Sequence, residues 1–251
     1  MKILCFGEMP EKYKTAIHNA MRENENITEF AIASDDNNIA AQQIDGDTIL
    51  MKCDIHSDDF LRRIIAINKI ITNGQKFTLT HCAVFHDCVG RRAPFILTDA
   101  ACVPMPDETQ LTYIVNNAVS LYSHIFNKGR APYISLISAG GDTNTKLAPV
   151  LHQWRDAHIT EFAPDTLHIE QLDVALNMDV RHEKHMTGNA ADIVVVDHIN
   201  TGNAILKSLT VLTDVWECAC FLMGAQNIVV LNSRSATAHS LTQNILLAVR
   251  N

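Results

Sequence analysis

Glycine is scarce in this chain, ten residues in 251, and the places where it is missing exclude whole classes of chemistry. No G-x-G-x-x-G and no G-x-x-x-x-G-K-[ST] occurs, so the backbone loops that cradle a dinucleotide or a nucleoside triphosphate have nothing to be built from. No G-x-S-x-G elbow is present either, which leaves a hydrolase triad without its anchor. Positive charge is in deficit. With a formal net charge of −8 there is no basic footprint for nucleic acid, although a few local cations can still outweigh a distant negative surface for a small anion. No apolar run approaches the roughly 20 residues that span a bilayer. The opening "MKILCFGEMPEKYK" turns charged after a short apolar stretch and reads as a first strand, not a signal peptide. The seven cysteines lack the spacing of a disulfide scaffold, so reduced thiols in a cytoplasm are expected. "CAC" (Cys218, Cys220) sits in an apolar, helix-like run and reads as core. "HEKH" (His182 to His185) is not H-E-x-x-H and has no evident third ligand, so no metal is expected there.

What is present is an ordinary globular composition, 47% apolar and 19% charged, over a length that suits two modest lobes sharing a site. Short β-rich runs alternate with helical patterns: "KILCF" then "EKYKTAIHNAMREN", "TILMK" then "SDDFLRRIIAINKI", "YISLIS" then a polar loop and "KLAPVLHQW", "DIVVVD" then "NAILKSLTVLTDV", "NIVVLN" then "HSLTQNILLAV". That rhythm predicts an α/β fold with a largely parallel sheet. The middle departs from it, since "LTHCAVFHD" and "APFILTDAA" joined by "CVGRR" read as a hairpin. One helix is well marked. Leu111, Ile114, Val115, Ala118, Tyr122 and Ile125 fall on one face at helical spacing, behind Pro106 and an Asp107/Gln110 capping box.

In a parallel sheet, ligands bind beyond the carboxyl ends of the strands, and three strand ends draw attention. After "VVVD", Gly202 permits a close approach and Asn203 is expected to cap a helix whose buried stripe is Ile205, Leu209 and Leu212. Free N–H groups at that helix start would suit an anion; a plain capped helix is the other reading. After "VVLN", Ser233 and Arg234 stand just before a helix, where a guanidinium fork suits phosphate or a developing oxyanion, or else pairs with a surface carboxylate. After "ILM", Lys52 is either an anion ligand or a solvated turn residue, with Ser57 or Asp58 capping the next helix.

Together these stretches resemble the phosphate acetyl/butyryltransferase family, most of all its butyryl branch, from about Asp47 to the C-terminus. "FILTDAACVPMPDETQLTYIVNNAV", which carries Asp99, resembles the family's L-T-D-A-A-x-N-x-x-P segment and the helix after it. "LISAGGDTNTKL" resembles L-S-A-x-E-x-x-N-P-K-M and keeps Asn144 and Lys146. "AADIVVVDHINTGNAILKSL" resembles A-D-I-L-V-V-P-x-x-x-A-G-N-x-L-x-K-x-L and keeps Gly202, Asn203 and Lys207. "VVLNSRSATAHSL" resembles the terminal L-T-S-R-S-D-S segment and keeps Ser233 and Arg234. "LMK" and "THCAVF" resemble L-M-K-G and S-H-V-x-V-F, keeping Lys52 and His81. The resemblance implies a metal-free exchange of acyl-CoA and phosphate for acyl phosphate and CoA, with CoA as substrate or product and no cofactor. It implies a two-lobed α/β/α fold like that of isocitrate and isopropylmalate dehydrogenases, and a homodimer. Arg234 would hold the acyl phosphate and stabilise the oxyanion, with Ser233 assisting. Lys52, His81, Asp99, Asn144, Lys146, Gly202, Asn203 and Lys207 would bind substrate. The expected lobes are residues 1–78 with 229–251, and residues 79–228, the second forming the dimer. Acyl-CoA and phosphate are the expected partners, with no nucleic acid and no membrane.

The departures run in one direction. S-R-S-D-S has become "SRSAT", placing Ala236 where the butyryl branch has aspartate. The acetyl branch's proposed base, seven residues after the serine, is here Ser240. L-M-K-G ends in Cys53, whose Cβ is expected to crowd the ligand side. Gly141 replaces the glutamate of S-A-x-E, and D-G-P-L-x-x-D has become "DVALNMD", keeping Asp173 and Asp179. The chain is also short before Asp47 and by about eight residues after Asp179. A catalytically weak paralogue that binds acyl-CoA, acyl phosphate or a protein is the alternative reading. A dehydrogenase on the same fold would want a third aspartate beside Asp173 and Asp179.

Overall fold

The computed structural model describes residues 1–88, 93–126, 132–137, 153, 167–170, 191–213, 215–233 and 235–249. In chain order the elements are β1 (Lys2–Phe6), α1 (Glu11–Glu23), β2 (Glu29–Ile32), α2 (Asn37–Gln42), β3 (Thr48–Lys52), α3 (Ser57–Ile71), β4 (Thr80–Asp87), β5 (Phe95–Thr98), α4 (Glu108–Phe126), β6 (Ile134–Ile137), β7 (Leu167–Glu170), β8 (Ile193–Val196), α5 (Ile199–Val211), β9 (Trp216–Met223), β10 (Val229–Val230) and α6 (Ala238–Val249). The fold is mixed α/β. The chain forms two compact units, Met1–Leu79 with Ala219–Asn251, and Thr80–Cys218. Among the described residues no helix is long and apolar enough to cross a membrane, and no cluster of histidine, cysteine, aspartate and glutamate could hold a metal. "HEKH", "KLAPVLHQW", Gly141, Asp173 and Asp179 lie outside the described residues, except for Gln153 of the second stretch.

In the first unit the strands run β2-β1-β3-β10-β9. The first four are parallel, and β9 pairs antiparallel with β10. β3 is buried along its whole length, as befits a parallel strand covered on both faces, and "TILMK" accordingly reads as a nearly continuous apolar run. The covering helices present periodic apolar faces. α1 buries Tyr13, Ala16, Ile17 and Ala20 and packs on α6, where the Thr242 hydroxyl donates to the Ala16 carbonyl at 3.3 Å. α3 buries Phe60, Ile64 and Ile67, with Phe60 edge-on to Phe6. His56, not Ser57 or Asp58, is the N-cap of α3, and no side chain caps it; both acidic residues, Asp58 and Asp59, lie in its first turn, where they favour the helix dipole without capping.

The second unit orders its strands β4-β5-β8-β6-β7. The expected hairpin is present, with β4 and β5 antiparallel and Phe85 opposite Phe95. Those rings stack at 4.9 Å, and Trp216 stands edge-on to both. β5, β8, β6 and β7 are parallel. The capping box of α4 forms in both directions: the Gln110 N–H donates to Asp107 Oδ1 at 2.8 Å, and the Asp107 N–H to Gln110 Oε1 at 3.0 Å. All six residues expected on its apolar face are buried, and Leu121 joins them. "CAC" is a correction, because Cys218 and Cys220 lie in β9 and not in a helix, and both are half-exposed. A continuous apolar run has no period by which to tell strand from helix.

Candidate functional site

β1, β3 and β10 run in one direction, with Phe6 beside Lys52 and Val230 beside Met51, so their carboxyl ends emerge together. Lys52 closes β3 and is only 1% exposed, which rules out the solvated-turn reading. Its ammonium lies 3.4 Å from the Asn232 carbonyl and 3.5 Å from that of Cys53. Asn232 answers by donating its side-chain N–H to the Lys52 carbonyl at 3.1 Å. One residue on, Ser233 is exposed. Its Oγ stands 2.8 Å from Ser235 Oγ and accepts the Ser235 N–H at 3.3 Å. The Thr237 hydroxyl accepts the Ser240 N–H at 3.1 Å as α6 begins. Arg234 lies outside the described residues.

Two further residues belong to this edge. Lys12, in the first turn of α1, donates from Nζ to the Ala236 carbonyl at 3.3 Å; a lysine early in a helix carries no signal of such a role. Gly7, after β1, has φ of +96°, and a Cβ there would lie 2.7 Å from Ile55 Cβ. Cys53 follows β3 directly. It is fully buried, with its sulfur 3.3 Å from that of Met9. Its thiol is pushed up by the hydrogen bond with Cys5 and by burial, which disfavours the thiolate.

In the second unit the organising group is Asp99, directly after β5 and 2% exposed. Its Oδ2 accepts the His81 N–H at 3.0 Å, and its Oδ1 accepts the N–H groups of Ala101 and Cys102, each at 2.8 Å. His81, on the neighbouring β4, is likewise buried. Burial, and then the Asp99 charge, push the Cys102 thiol up. Against this loop rests Gly202 in the first turn of α5. A Cβ on it would sit 2.8 Å from the Asp99 carbonyl oxygen, 2.9 Å from Ala100 Cα and 3.0 Å from Val196 Cγ2. The Asn203 side chain donates to the Ala100 carbonyl at 3.5 Å. Lys207 follows one turn later, and both are exposed.

Two expectations about α5 need correcting, its cap and its buried stripe, and the choice at its start between an anion site and a plain capped helix falls to the second. Its N-cap is His198, whose Nδ1 accepts the Asn200 N–H at 3.0 Å; Asn203 is already inside the helix. Its N-terminal amides are not free for an anion. Ile199 donates to the Pro104 carbonyl, Asn200 to the His198 ring, and Thr201 and Gly202 to the His198 carbonyl. Finally, its buried stripe is Gly202, Ile205 and Leu206, whereas Leu209 is half-buried and Leu212 is 78% exposed. The structure thus gathers Lys52 and Ser233 in one unit and His81, Asp99, Gly202, Asn203 and Lys207 in the other. Asn144 and Lys146 lie outside the described residues.

Chemically, the first group offers ammonium and hydroxyl donors at parallel strand ends, which suits an oxyanion. The second offers a loop braced by a buried carboxylate, with exposed amide and ammonium groups on the helix behind it. The family model described as phosphate acetyl/butaryl transferase matches residues 21–249. Phosphate butyryltransferase of Clostridium acetobutylicum is 31% identical over 211 residues, covering 80% of this chain and 67% of that protein. Phosphate acetyltransferase of Rhizobium meliloti is 26% identical over 194 residues, covering 74% of this chain and 60% of that protein. Among solved structures, a branched-chain phosphotransacylase from Enterococcus faecalis V583 superposes with a TM-score of 0.71 at 22% identity, covering 100% of this chain and 99% of its own. A phosphotransacetylase from Streptococcus pyogenes gives 0.66 at 14% identity, covering 99% and 92%. At these identities the two superpositions speak for the fold.

Proposed function

Because this chain belongs to the phosphate acetyl/butaryl transferase family, we propose that it exchanges a short or branched acyl group between coenzyme A and inorganic phosphate. A phosphate oxygen attacks the thioester carbonyl, and its negative oxygen is held while the C–O bond forms. The C–S bond then breaks, CoA leaves as thiolate, and the proton carried by phosphate ends on its sulfur. Coenzyme A is therefore substrate or product, and no cofactor or metal is assigned.

The observation that carries this reading is the pairing of Lys52 with the Ser233 strand end at adjacent parallel strands. Lys52 and Ser233 hold phosphate oxygens, and Arg234, the next residue, supplies the fork for the acyl phosphate and the oxyanion. Gly202, Asn203, Lys207, His81 and Asp99 shape acyl-CoA contacts, joined by Asn144 and Lys146. We read the two units, Met1–Leu79 with Ala219–Asn251 and Thr80–Cys218, as the lobes of an isocitrate/isopropylmalate dehydrogenase-like fold, the first taking in β9 beyond the 229 boundary expected from the sequence. The protein is taken to be a cytoplasmic homodimer joined through the second lobe.

A second reading has its own observation. By the resemblance, Ala236 and Ser240 fall where the two branches carry carboxylates, and a lost general base costs about 10²–10⁴ in rate, which would leave a protein that binds and scarcely turns over. Thiol release from butyryl-CoA and phosphate separates the two. Phosphate-dependent CoA release that falls by about 10²–10³ in Arg234→Ala supports transfer. Release from none of acetyl-, propionyl-, butyryl- and isobutyryl-CoA, by protein shown to be folded, overturns it. Thermal stabilisation by CoA without turnover would then favour the binder.

A further inference from the structure

β10 is two residues long, and single backbone bonds extend its pairing by one residue each way, Leu50 N–H to the Ile228 carbonyl at 3.0 Å and Leu231 N–H to the Cys220 carbonyl at 2.8 Å. Buried asparagines add to this at each end. At the start, Asn227, 5% exposed, donates its side-chain N–H to the carbonyls of Asp45 at 2.7 Å and Thr48 at 2.9 Å. At the far end, Asn232, 3% exposed, and Lys52 bond reciprocally, the side chain of each to the backbone carbonyl of the other. Behind Asn232 stands Asn244 of α6, 5% exposed, which donates to Asn232 Oδ1 at 3.1 Å. That bond orients the Asn232 amide, turning its oxygen to Asn244 and its nitrogen to Lys52. Asn244 lies on a helix face otherwise buried mostly through Leu241, Ile245, Leu247, Ala248 and Val249. An apolar residue there would serve packing alone, and a buried polar group is tolerated only when its bonds are made.

We propose that Asn232 and Asn244 are positioning residues. The relay from α6 through Asn232 sets the height and direction of Lys52 against the strand end that carries Ser233, so that both meet the same phosphate. The proposal rests on the acyl-transfer reading for its purpose, but not for its geometry. Misplacement by about 1 Å is enough to cost on the order of 100-fold where groups must converge.

The test compares Asn244→Leu, which keeps the branched shape and removes the donor, with Asn227→Ala, which removes a buried asparagine at the other end of the same strand. Two quantities are read on protein shown by circular dichroism to be folded: the acylation rate of Lys52 by an amine-reactive ester, followed by peptide mass spectrometry, and KM for phosphate against kcat in CoA release. In Asn244→Leu, Lys52 acylation is expected to rise at least fivefold and phosphate KM about tenfold, with kcat changed less than threefold. Asn227→Ala is expected to move neither, even where it lowers Tm as much. Equal changes in both variants, or none in either, overturn the proposal. If the wild type releases no CoA, the transfer reading fails by itself and Lys52 acylation still decides the relay. Should Asn244→Leu not fold, Asn244→Ala removes the same donor without adding bulk and is read in the same way.

Discussion

Replacing Gly202 by alanine adds one carbon at a point where the nearest neighbours are backbone. The new Cβ would lie 2.8 Å from the Asp99 carbonyl oxygen and 2.9 Å from Ala100 Cα, and neither can swing aside as a side-chain tip could. The glycine is not there for its backbone angles, since the positive-φ glycines described are Gly7, Gly74 and Gly224. Two effects therefore compete. Alanine gains about 1 kcal/mol over glycine inside a helix, while overpacking costs about 1–3 kcal/mol, here toward the upper end because α5 or the Asp99 loop must shift bodily. The net expectation is a loss of about 1–2 kcal/mol, or a fall in Tm of roughly 2–8 °C for a chain of this size. Differential scanning fluorimetry checks it beside Gly46→Ala, whose Cβ would meet nothing within 4 Å and whose Tm is expected to stay put. CoA release should fall in Gly202→Ala as well, because the displaced loop carries Asp99. A Tm that holds or rises would mean that helix propensity alone governs the site, and the close-approach argument would be wrong.

Asp99→Asn keeps the shape but cannot keep the bonds, because an NH₂ must now face either the His81 N–H or the N–H groups of Ala101 and Cys102. A loss of about 1–3 kcal/mol is expected in urea unfolding, and an unchanged midpoint would show that the carboxylate does not brace the loop. Asp45 offers a pH test. Its carboxyl lies below the ordinary 3.8, chiefly because the Thr48 hydroxyl donates to it at 2.6 Å. A depressed folded value means that the stabilisation is fully present above pH 3.8 and is lost as pH falls through the folded pKa. Thr48→Val should raise the Asp45 titration toward 3.8, followed by carboxyl carbon shifts in NMR, and a curve that does not move would dismiss the hydroxyl as the cause.

The sequence by itself determined those features whose causes lie within a few residues. The capping box of α4 spans Asp107 to Gln110, and its apolar face repeats within one helix. The β4–β5 hairpin joins two neighbouring apolar runs, and the strand-then-helix rhythm needs no knowledge of what covers what. Lys52 and Ser233 were visible as polar residues directly after apolar strands, though not the partners that hold them. β2 and β9 escaped for different reasons: the first is four residues of edge strand with exposed ends, and the second lacks any period. Only tertiary structure decided that Pro104 takes the first amide of α5 and that Asn232 meets Lys52 across 180 residues of chain. Buried polar groups bond wherever the fold brings a partner, and sequence separation places no bound on where that partner comes from.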